Sequence, residues 1–511
     1  MQPIAAKETS QGANPRPARG FRLIPAVDQS PRAVRFVSTP LGKIVVLCLF
    51  GGLLRLREAP AAMELTAFAA LASFFPSRRR ILAAAGTLWW LFRFTIPNMT
   101  WIGLRTILER ERLPAAMATP IEYAATVGAL VLWAAFTACA FRNPKSGLIR
   151  RPIVLMIVTV VTLACLAVEL PMPGLARAWM WAATAALAWF LWFAAYSVAD
   201  RGARGRSPLA TQFGTWQPVW YGMVVTPLPI PKGAAYLRRI EAKSAEDLAI
   251  TQIKGLKLMV WLMLLTAILR VLQSLVHGEM AESHSFGRLL GIGAGLSVPP
   301  FAVVFRDSIM GHPAPWLVRT IAYCSDLVET FFATAIGHGV VVVYARMFGF
   351  RALRAMWRPL SAGTLAEFWN RYNYYFKELL MDFFFYPCFT RYFKKNPRVR
   401  LFAATFGAAG VGNAIYHFVY NIDAVASYGV LKAITGYHVY VFYCLVLGVA
   451  IAVSQYLQNS RKGPAPAWRR ALAPAGVLAF FAIIHIFDDP GRAYSLADHF
   501  RFLAGLFGIS V

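Results

Sequence analysis

The sequence predicts an all-α fold, a polytopic transmembrane helical bundle of about eleven spans with re-entrant or interfacial helices around a central tunnel. Composition is the first observation: 58% of the 511 residues are hydrophobic and only 15% are charged, whereas soluble domains carry about 25% charged residues. Length is the second, because the apolar residues fall in runs of roughly 16–25, enough to cross about 30 Å of hydrocarbon. Charge is the third, since basic residues cluster at the ends of these runs, as the positive-inside rule requires.

The first 40 residues contain Pro, Gly, Ser and Arg but no apolar run. Because they lack the apolar h-region of a signal peptide, we expect residues 1–40 to form a disordered basic tail in the cytoplasm. Residues 41–511 are expected to form a single integral membrane domain.

Six spans are predicted in the first part of the chain, at roughly 41–54, 61–76, 82–104, 118–141, 152–170 and 177–199. Strongly basic connections alternate with mixed or uncharged ones, which places the N-terminus in the cytoplasm.

Residues 238–257 have mixed charge and predict a cytoplasmic surface helix, which either lies solvated on the membrane or docks an acidic donor protein. Pro299-Pro300 predicts a broken or re-entrant segment over 289–305. Further spans are predicted at roughly 255–276, 316–345, 401–421, 434–456 and 471–488.

The chain has 52 basic and 24 acidic residues, a formal net charge of +28. Because the basic residues lie at the ends of apolar runs, this charge favours contact with anionic lipid head groups rather than with nucleic acid. The six cysteines are isolated from one another and show no metal-site spacing, so no metal site is predicted.

An aromatic segment that begins at Thr364 predicts a helix with one polar face. Thr364-x-x-Glu367 is a capping-box signature, and Pro387 is expected to limit the other end. Four polar side chains recur at three- and four-residue spacing and form one stripe: Glu367, Asn370, Asn373 and Lys377. The other faces are rich in aromatic rings, which suits either a membrane-embedded helix or an amphipathic helix at the head groups.

A second helix carries polar residues in an otherwise apolar run. Asn413, His417 and Asn421 stand at i, i+4 and i+8 and therefore share one face. Glycines at three nearby positions allow a neighbouring helix to approach closely: Gly407, Gly410 and Gly412. A lone histidine is more often a hydrogen-bonded core residue, whereas one flanked by amides on the same face indicates a buried polar cavity. His417 is therefore a candidate catalytic residue.

Several short motifs occur in a fixed order over roughly residues 316–440: Arg346–Phe350, Arg358-Pro359, Glu367–Asn373, Asp382 with Tyr386-Pro387, and a later helix with His417. This order resembles the membrane-bound O-acyltransferase (MBOAT) family. In that family an Asn, Asp or His follows an F-W-x-R-x motif and an almost invariant His lies on a later helix, and Asn373 and His417 occupy these positions. Tyr416-His417-Phe418 replaces the W-H-G of many bacterial members, which leaves the subfamily and its acceptor open.

The resemblance implies an acyltransferase that moves an acyl group from a thioester donor, acyl-CoA or an acyl carrier protein, to a hydroxyl group. His417 would be the general base, and Asn373 would donate to the developing oxyanion. Arg371 and Lys377 would either hold donor phosphates or pair with neighbouring carboxylates. Asn413 and Asn421 are candidate substrate-binding residues of the same cavity. No metal or redox cofactor is implied.

Topology suggests which acceptor such an enzyme would use. His417 would lie roughly 24 Å along a helix that starts at a basic cytoplasmic loop, past mid-membrane. A cytoplasmic donor would then reach it through a tunnel, and the acceptor would arrive from the far side. This arrangement resembles that of envelope-polymer acylators of the family, including alginate O-acetylating and teichoic-acid D-alanylating members. It implies a bacterial cytoplasmic (inner) membrane and a polysaccharide acceptor, with a membrane lipid as the alternative.

A different class of function stays open from the residues alone. Asp326, Glu329, His338 and His417 lie within apolar runs, where ionisable groups also mark proton-coupled transporters and lipid flippases. His338 is otherwise a candidate tunnel-lining group or an alternative base. A catalytically inactive binding protein of the same fold is the third possibility.

Overall fold

The computed structural model describes residues 24–57, 59, 61–96, 102–143, 145–147, 150–204, 211–212, 232–281, 291, 295–460, 463 and 466–509. Within these residues every regular element is a helix, apart from an isolated bridge between Glu241 and Phe350. The predicted all-α class is therefore confirmed.

The α-helices are, in chain order, α1 (Pro31–Ser38), α2 (Pro40–Leu56), α3 (Ala62–Phe74), α4 (Arg79–Trp90), α5 (Ile102–Arg110), α6 (Ala118–Arg142), α7 (Pro152–Glu169), α8 (Gly174–Arg204), α9 (Ala234–Ile240), α10 (Ala245–His277), α11 (Phe301–Ile309), α12 (Trp316–Met347), α13 (Leu365–Tyr372), α14 (Tyr374–Leu380), α15 (Tyr386–Arg391), α16 (Pro397–Phe406), α17 (Asn413–Tyr420), α18 (Asp423–Tyr428), α19 (Val430–Thr435), α20 (His438–Ser460), α21 (Ala467–His485) and α22 (Leu496–Leu506). Three π-helical segments interrupt them, at Leu91–Thr95, Met381–Phe385 and Gly407–Gly412.

Seven helical stretches in the described part of the chain are long and apolar enough to cross a membrane: Ala115–Arg142, Pro152–Glu169, Gly174–Asp200, Ala245–Met280, Trp316–Met347, Val430–Ser460 and Ala467–His485. An eighth is possible if α1 and α2 count as one span, although they meet at an angle of 95°. The bend lies at Thr39-Pro40, where the Thr39 side chain caps α2 and proline disfavours a helical conformation in the residue before it. Among these residues, seven or eight of the about eleven predicted spans are therefore supported by helix length and apolar character.

Three predicted spans are too short or interrupted. The segment 61–76 contains α3, whose 13 residues extend only about 20 Å. The segment 82–104 is interrupted after Trp90 by a π-helical segment, and residues 97–101 lie outside the described part. In 401–421, a six-residue π-helical segment lies between α16 and α17, and the backbone is helical where it joins both of them. Hydropathy detected the apolar character of these three segments but not these changes in helix geometry, because they depend on the local backbone.

Two further boundaries differ from the prediction. The predicted tail is not disordered up to residue 40, because α1 begins at Pro31. The Ser30 side chain caps this helix by accepting a hydrogen bond from the Ala33 amide at 3.4 Å. Residues 1–23 of the tail lie outside the described part. The predicted surface helix over 238–257 is instead the end of α9 and the start of the 33-residue α10, which Ser244 caps. The predicted re-entrant segment 289–305 stays a prediction, because residues 289, 290 and 292–294 lie outside the described part; its described end contains Pro300 followed by the nine-residue α11.

Close backbone packing brings α20 against the π-helical segment Gly407–Gly412. A Cβ atom added to Gly448 would lie 2.7 Å from the Cα of Gly410, so the two backbones meet where neither residue has a side chain. A Cβ on Gly412 would lie 2.7 Å from the ring of Phe384. The glycines therefore allow this segment to pack closely between α20 and Phe384, which follows α14. The sequence predicted such a close approach of a neighbouring helix.

Candidate functional site

A cavity of about 540 Å³ lies between the segment that contains α13 and α14 and the helices α16 and α20. This volume is within the range of small-molecule sites. The apolar part of its wall includes Phe376, Leu380, Leu447 and Ile451. The polar lining residues are Thr364, Glu367, Asn370, Asn373, Lys377, Thr405, Asn413, Gln455 and Gln458. The four residues of the predicted polar stripe are therefore brought together at one cavity.

The predicted helix from Thr364 to Pro387 is broken at Asn373. Its start is as expected, because the Thr364 hydroxyl accepts a hydrogen bond from the Glu367 amide at 3.1 Å. Asn373 then ends α13 and begins α14, where its Oδ1 accepts a hydrogen bond from the Phe376 amide at 3.3 Å. Asparagine favours this capping position. Pro387 does not end the segment, because proline is tolerated in the first turn of α15, where it stands.

Asn373 consequently has two functions in the local structure. Its Oδ1 is used by the helix cap, whereas its side chain also borders the cavity. The amide nitrogen Nδ2 is the group that remains to donate a hydrogen bond to a ligand.

Asn413 lies directly after the π-helical segment and is only 5% exposed. It lines the cavity, and its Oδ1 is buried without a hydrogen-bond partner. Buried amide oxygens are nearly always bonded. This side chain is therefore the most unusual polar group of the cavity wall.

His417 stands one turn further along α17 and is not among the described residues that line the cavity. Its ring packs against Phe376, Tyr416 and Tyr440, with centroid distances of 5.8, 5.1 and 4.8 Å. The imidazole forms no hydrogen bond with any described residue. Phe376 both borders the cavity and contacts His417. The prediction that Asn373 and His417 face one cavity thus holds for Asn373 only.

Two other predicted binding residues are engaged elsewhere. Asn421 does not line the cavity; its Nδ2 donates to the backbone carbonyl of His417 at 2.8 Å and so caps α17. Arg371 forms an ion pair with Glu367 and donates to the hydroxyl of Ser361 at 2.8 Å. The sequence left open whether Arg371 binds phosphate or pairs with a carboxylate, and the structure shows the pairing.

Lys377 does line the cavity. Its Nζ is 2.5 Å from Oε1 of Glu378 and 4.8 Å from the centre of the Tyr374 ring. The carboxylate pairing that the sequence allowed is therefore present here too, while the side chain still contributes to the cavity wall.

A buried charge network beside the cavity was missed by the sequence analysis. Lys232 Nζ is 2.7 Å from a carboxylate oxygen of Glu378 and 2.7 Å from one of Asp382, and the Tyr196 hydroxyl donates to Asp382 at 2.8 Å. Burial acts to lower the pKa of Lys232, but the two carboxylates outweigh it and raise the pKa above its usual value. The partners are far apart in the chain, so no local pattern could have indicated the network.

The two acidic residues of α12, Asp326 and Glu329, pair with other helices and do not line the cavity. Asp326 accepts from His485 Nε2 at 3.2 Å, and Glu329 lies 2.9 Å from His277 Nε2. Gln273 and Ser325 also donate to Glu329, at 2.8 Å each. These contacts join the last residues of α10 and α21 to the first half of α12.

His338, the other predicted candidate of α12, is 6% exposed, and its Nδ1 is buried without a partner. It is absent from the described residues that line the cavity, so the expected lining role is not seen. Across the described residues, no group of three or more His, Cys, Asp or Glu side chains is arranged to hold a metal ion.

The long apolar helices define the class of this chain: it is an α-helical integral membrane protein. Its comparison with protein-family models and with curated protein sequences gives no match.

Proposed function

We propose that the protein is a membrane O-acyltransferase that moves an acyl group from a thioester donor, acyl-CoA or an acyl carrier protein, to a hydroxyl group. The observation that carries this proposal is the largely apolar cavity with the amides of Asn373 and Asn413 in its wall. Next to it, behind the ring of Phe376, lies the unbonded imidazole of His417. A cavity with a largely apolar surface and a few amide groups suits an acyl thioester, which is neutral and mostly apolar around its reactive carbonyl.

In the proposed mechanism, His417 takes the proton of the acceptor hydroxyl as the oxygen attacks the thioester carbonyl. Nδ2 of Asn373 donates to the carbonyl oxygen, where negative charge develops. The carbon–sulfur bond then breaks, the ester is released, and the imidazolium returns the proton to the thiolate. The ring of Phe376 turns aside during the cycle, because it stands between the cavity and the imidazole.

The distribution of charge supports entry of the donor from the cytoplasm. The cavity wall contains Lys377, Gln455 and Gln458, and the exposed loop 392–396 before α16 includes Lys394 and Lys395. Basic surfaces of this kind are typical of the cytoplasmic side of a membrane protein and attract the phosphates of a thioester donor. The acceptor, a polysaccharide or lipid hydroxyl, approaches from the other face of a bacterial inner membrane, and the N-terminus is cytoplasmic.

A transfer assay tests the proposal. Membranes that contain the protein are supplied with labelled acyl-CoA or acyl carrier protein and with candidate hydroxyl acceptors. We expect His417→Ala to abolish transfer, since a general base contributes typically 10²–10⁴ in rate, while membrane insertion stays intact. Asn373→Ala is expected to reduce transfer less severely, because the base remains.

His312→Ala is the matched control, because His312 is exposed in the loop before α12 and should leave transfer unchanged. His338→Ala should also keep substantial activity, since His338 lies outside the cavity wall. Undiminished transfer by the His417→Ala protein would refute the mechanism. Transport of the acceptor without consumption of thioester would favour the transporter or flippase instead.

A further inference from the structure

Asn413 is the described residue of the cavity wall that has a buried side-chain atom without a hydrogen-bond partner. The residue is 5% exposed, and the unpartnered atom is Oδ1 of its amide. Removing an amide from water without replacing its hydrogen bonds is costly. Because a buried polar atom without a partner is rare in a native structure, such an atom in a cavity wall marks a place where a ligand can supply the missing donor.

Other polar groups near Asn413 have partners. The Thr405 hydroxyl donates to Oε1 of Gln455 at 2.7 Å, across the same cavity. Oδ1 of Asn373 accepts from the Phe376 amide, which leaves only its Nδ2 to donate to a ligand. Among the described residues of the cavity wall, Asn413 is therefore the one with a buried side-chain atom that lacks a partner.

From these contacts we infer that Asn413 binds an amide group in the arm of the thioester donor, and this inference rests on the proposed function. The side chain offers one acceptor and one donor group, which complement the N–H and C=O of a secondary amide. The surrounding wall of Phe376, Leu380 and Leu447 is apolar, which disfavours a charged ligand group. A chain of methylene groups alone would leave Asn413 unsatisfied, whereas a pantetheine arm presents amides on a slender, neutral chain.

The position of Asn413 also suits this role sterically. It precedes His417 by one turn of α17, a rise of about 6 Å. In a pantetheine arm, two methylene groups separate the sulfur from the nearest amide nitrogen. An amide held at Asn413 would therefore place the thioester within one turn of the imidazole. Asn413 acts as a positioning and specificity residue, because it binds the arm and not the reacting carbonyl.

The test is a binding measurement on the full-length protein in detergent, with probes that cannot transfer an acyl group. One probe is the thioether analogue of an acylated N-acetylcysteamine, which carries the amide. The other has an alkyl group of equal length in place of the acetamido group. By calorimetric titration we expect the unmodified protein to bind the amide probe more tightly, by on the order of tenfold.

In Asn413→Leu the preference for the amide probe should disappear, because the apolar side chain satisfies neither end of the ligand amide. Asn413→Ala repeats the measurement with a smaller side chain in case the leucine variant does not fold. Asn459→Leu is the control, since Asn459 is exposed on α20 and outside the cavity wall; it should keep the preference.

Three outcomes would overturn the inference. The unmodified protein could bind both probes with equal affinity, it could bind neither probe, or the preference for the amide probe could persist in the Asn413 variants. The outcome is separable from that of the transfer assay. An Asn413-dependent preference without any acyl transfer would refute the proposed function alone. Transfer together with an amide preference that is independent of Asn413 would refute this inference alone.

Discussion

At the scale of single residues, Asn373 combines a structural and a proposed catalytic task in one amide. Its oxygen caps α14 through the Phe376 amide, and its nitrogen is left for a ligand. The two tasks use different atoms, so different substitutions separate them. Aspartate keeps the capping oxygen and lacks the N–H donor, whereas alanine lacks both.

We therefore predict that Asn373→Asp leaves thermal stability nearly unchanged but lowers acyl transfer by about 10²–10³, the usual effect of losing one oxyanion donor. Asn373→Ala should lower transfer and also reduce the free energy of unfolding by about 1 kcal/mol, because the cap is lost. Melting in detergent and the transfer assay measure the two effects. Full activity of the aspartate variant would show that the amide nitrogen has no role in the reaction.

The candidate site residues show how far the sequence could go at this scale. Spacing within a helix correctly placed Asn370, Asn373 and Lys377 along one cavity, because three- and four-residue intervals fix a common helix face. The same reasoning failed for Asn421, which stands at the end of α17 and bonds to the backbone there. Whether a polar side chain faces a cavity or a helix terminus depends on where the helix ends.

At the scale of helices, the π-helical segment between α16 and α17 contributes to the shape of the site. The π-helical segment Gly407–Gly412 changes the helical phase before Asn413. The contact between Gly410 and Gly448 then brings α20 close enough to close one side of the cavity. Glycine is required at this contact because any side chain would separate the two backbones.

Gly448→Ala is accordingly expected to destabilise the protein by about 1–3 kcal/mol, since its Cβ would overlap with the backbone of Gly410. Gly476→Ala is the matched control, because Gly476 is exposed in α21 and a Cβ there meets no atom within 4 Å. That change should be neutral or stabilise the helix by up to about 1 kcal/mol. Thermal unfolding of the purified variants compares them, and equal melting temperatures would contradict the packing argument.

At the scale of the whole molecule, ion pairs fix which helix ends share a membrane face. The pairs His277–Glu329 and His485–Asp326 hold the ends of α10 and α21 beside the first half of α12. The basic loop before α16 lies near the C-terminal end of α20, because Arg398, at the start of α16, stands over the ring of Tyr456 at 5.9 Å. The chain passes from this end of α20 to the first residues of α21. The loops before α12 and before α16 are therefore expected on opposite sides of the membrane.

Labelling of single cysteines in a variant without the six native cysteines tests this arrangement. We predict that His312→Cys, in the loop before α12, reacts with a membrane-impermeant maleimide in intact cells. Lys395→Cys, in the basic loop before α16, should react only after the membrane is permeabilised. Both positions are exposed, so a difference in labelling reports sidedness. Reaction of both in intact cells, or the reverse pattern, would contradict the proposed orientation.

The sequence by itself determined the all-helical class, the membrane location, several helix starts and the polar stripe of α13 and α14. These features depend on local properties, namely the transfer of apolar side chains into hydrocarbon and the periodicity of a helix. Only the tertiary structure decided that Phe376 contacts both the cavity and His417, and that Arg371 pairs with Glu367. It also decided the Lys232 network. Contacts between distant segments, and the points where helices break, follow from packing that local patterns do not contain.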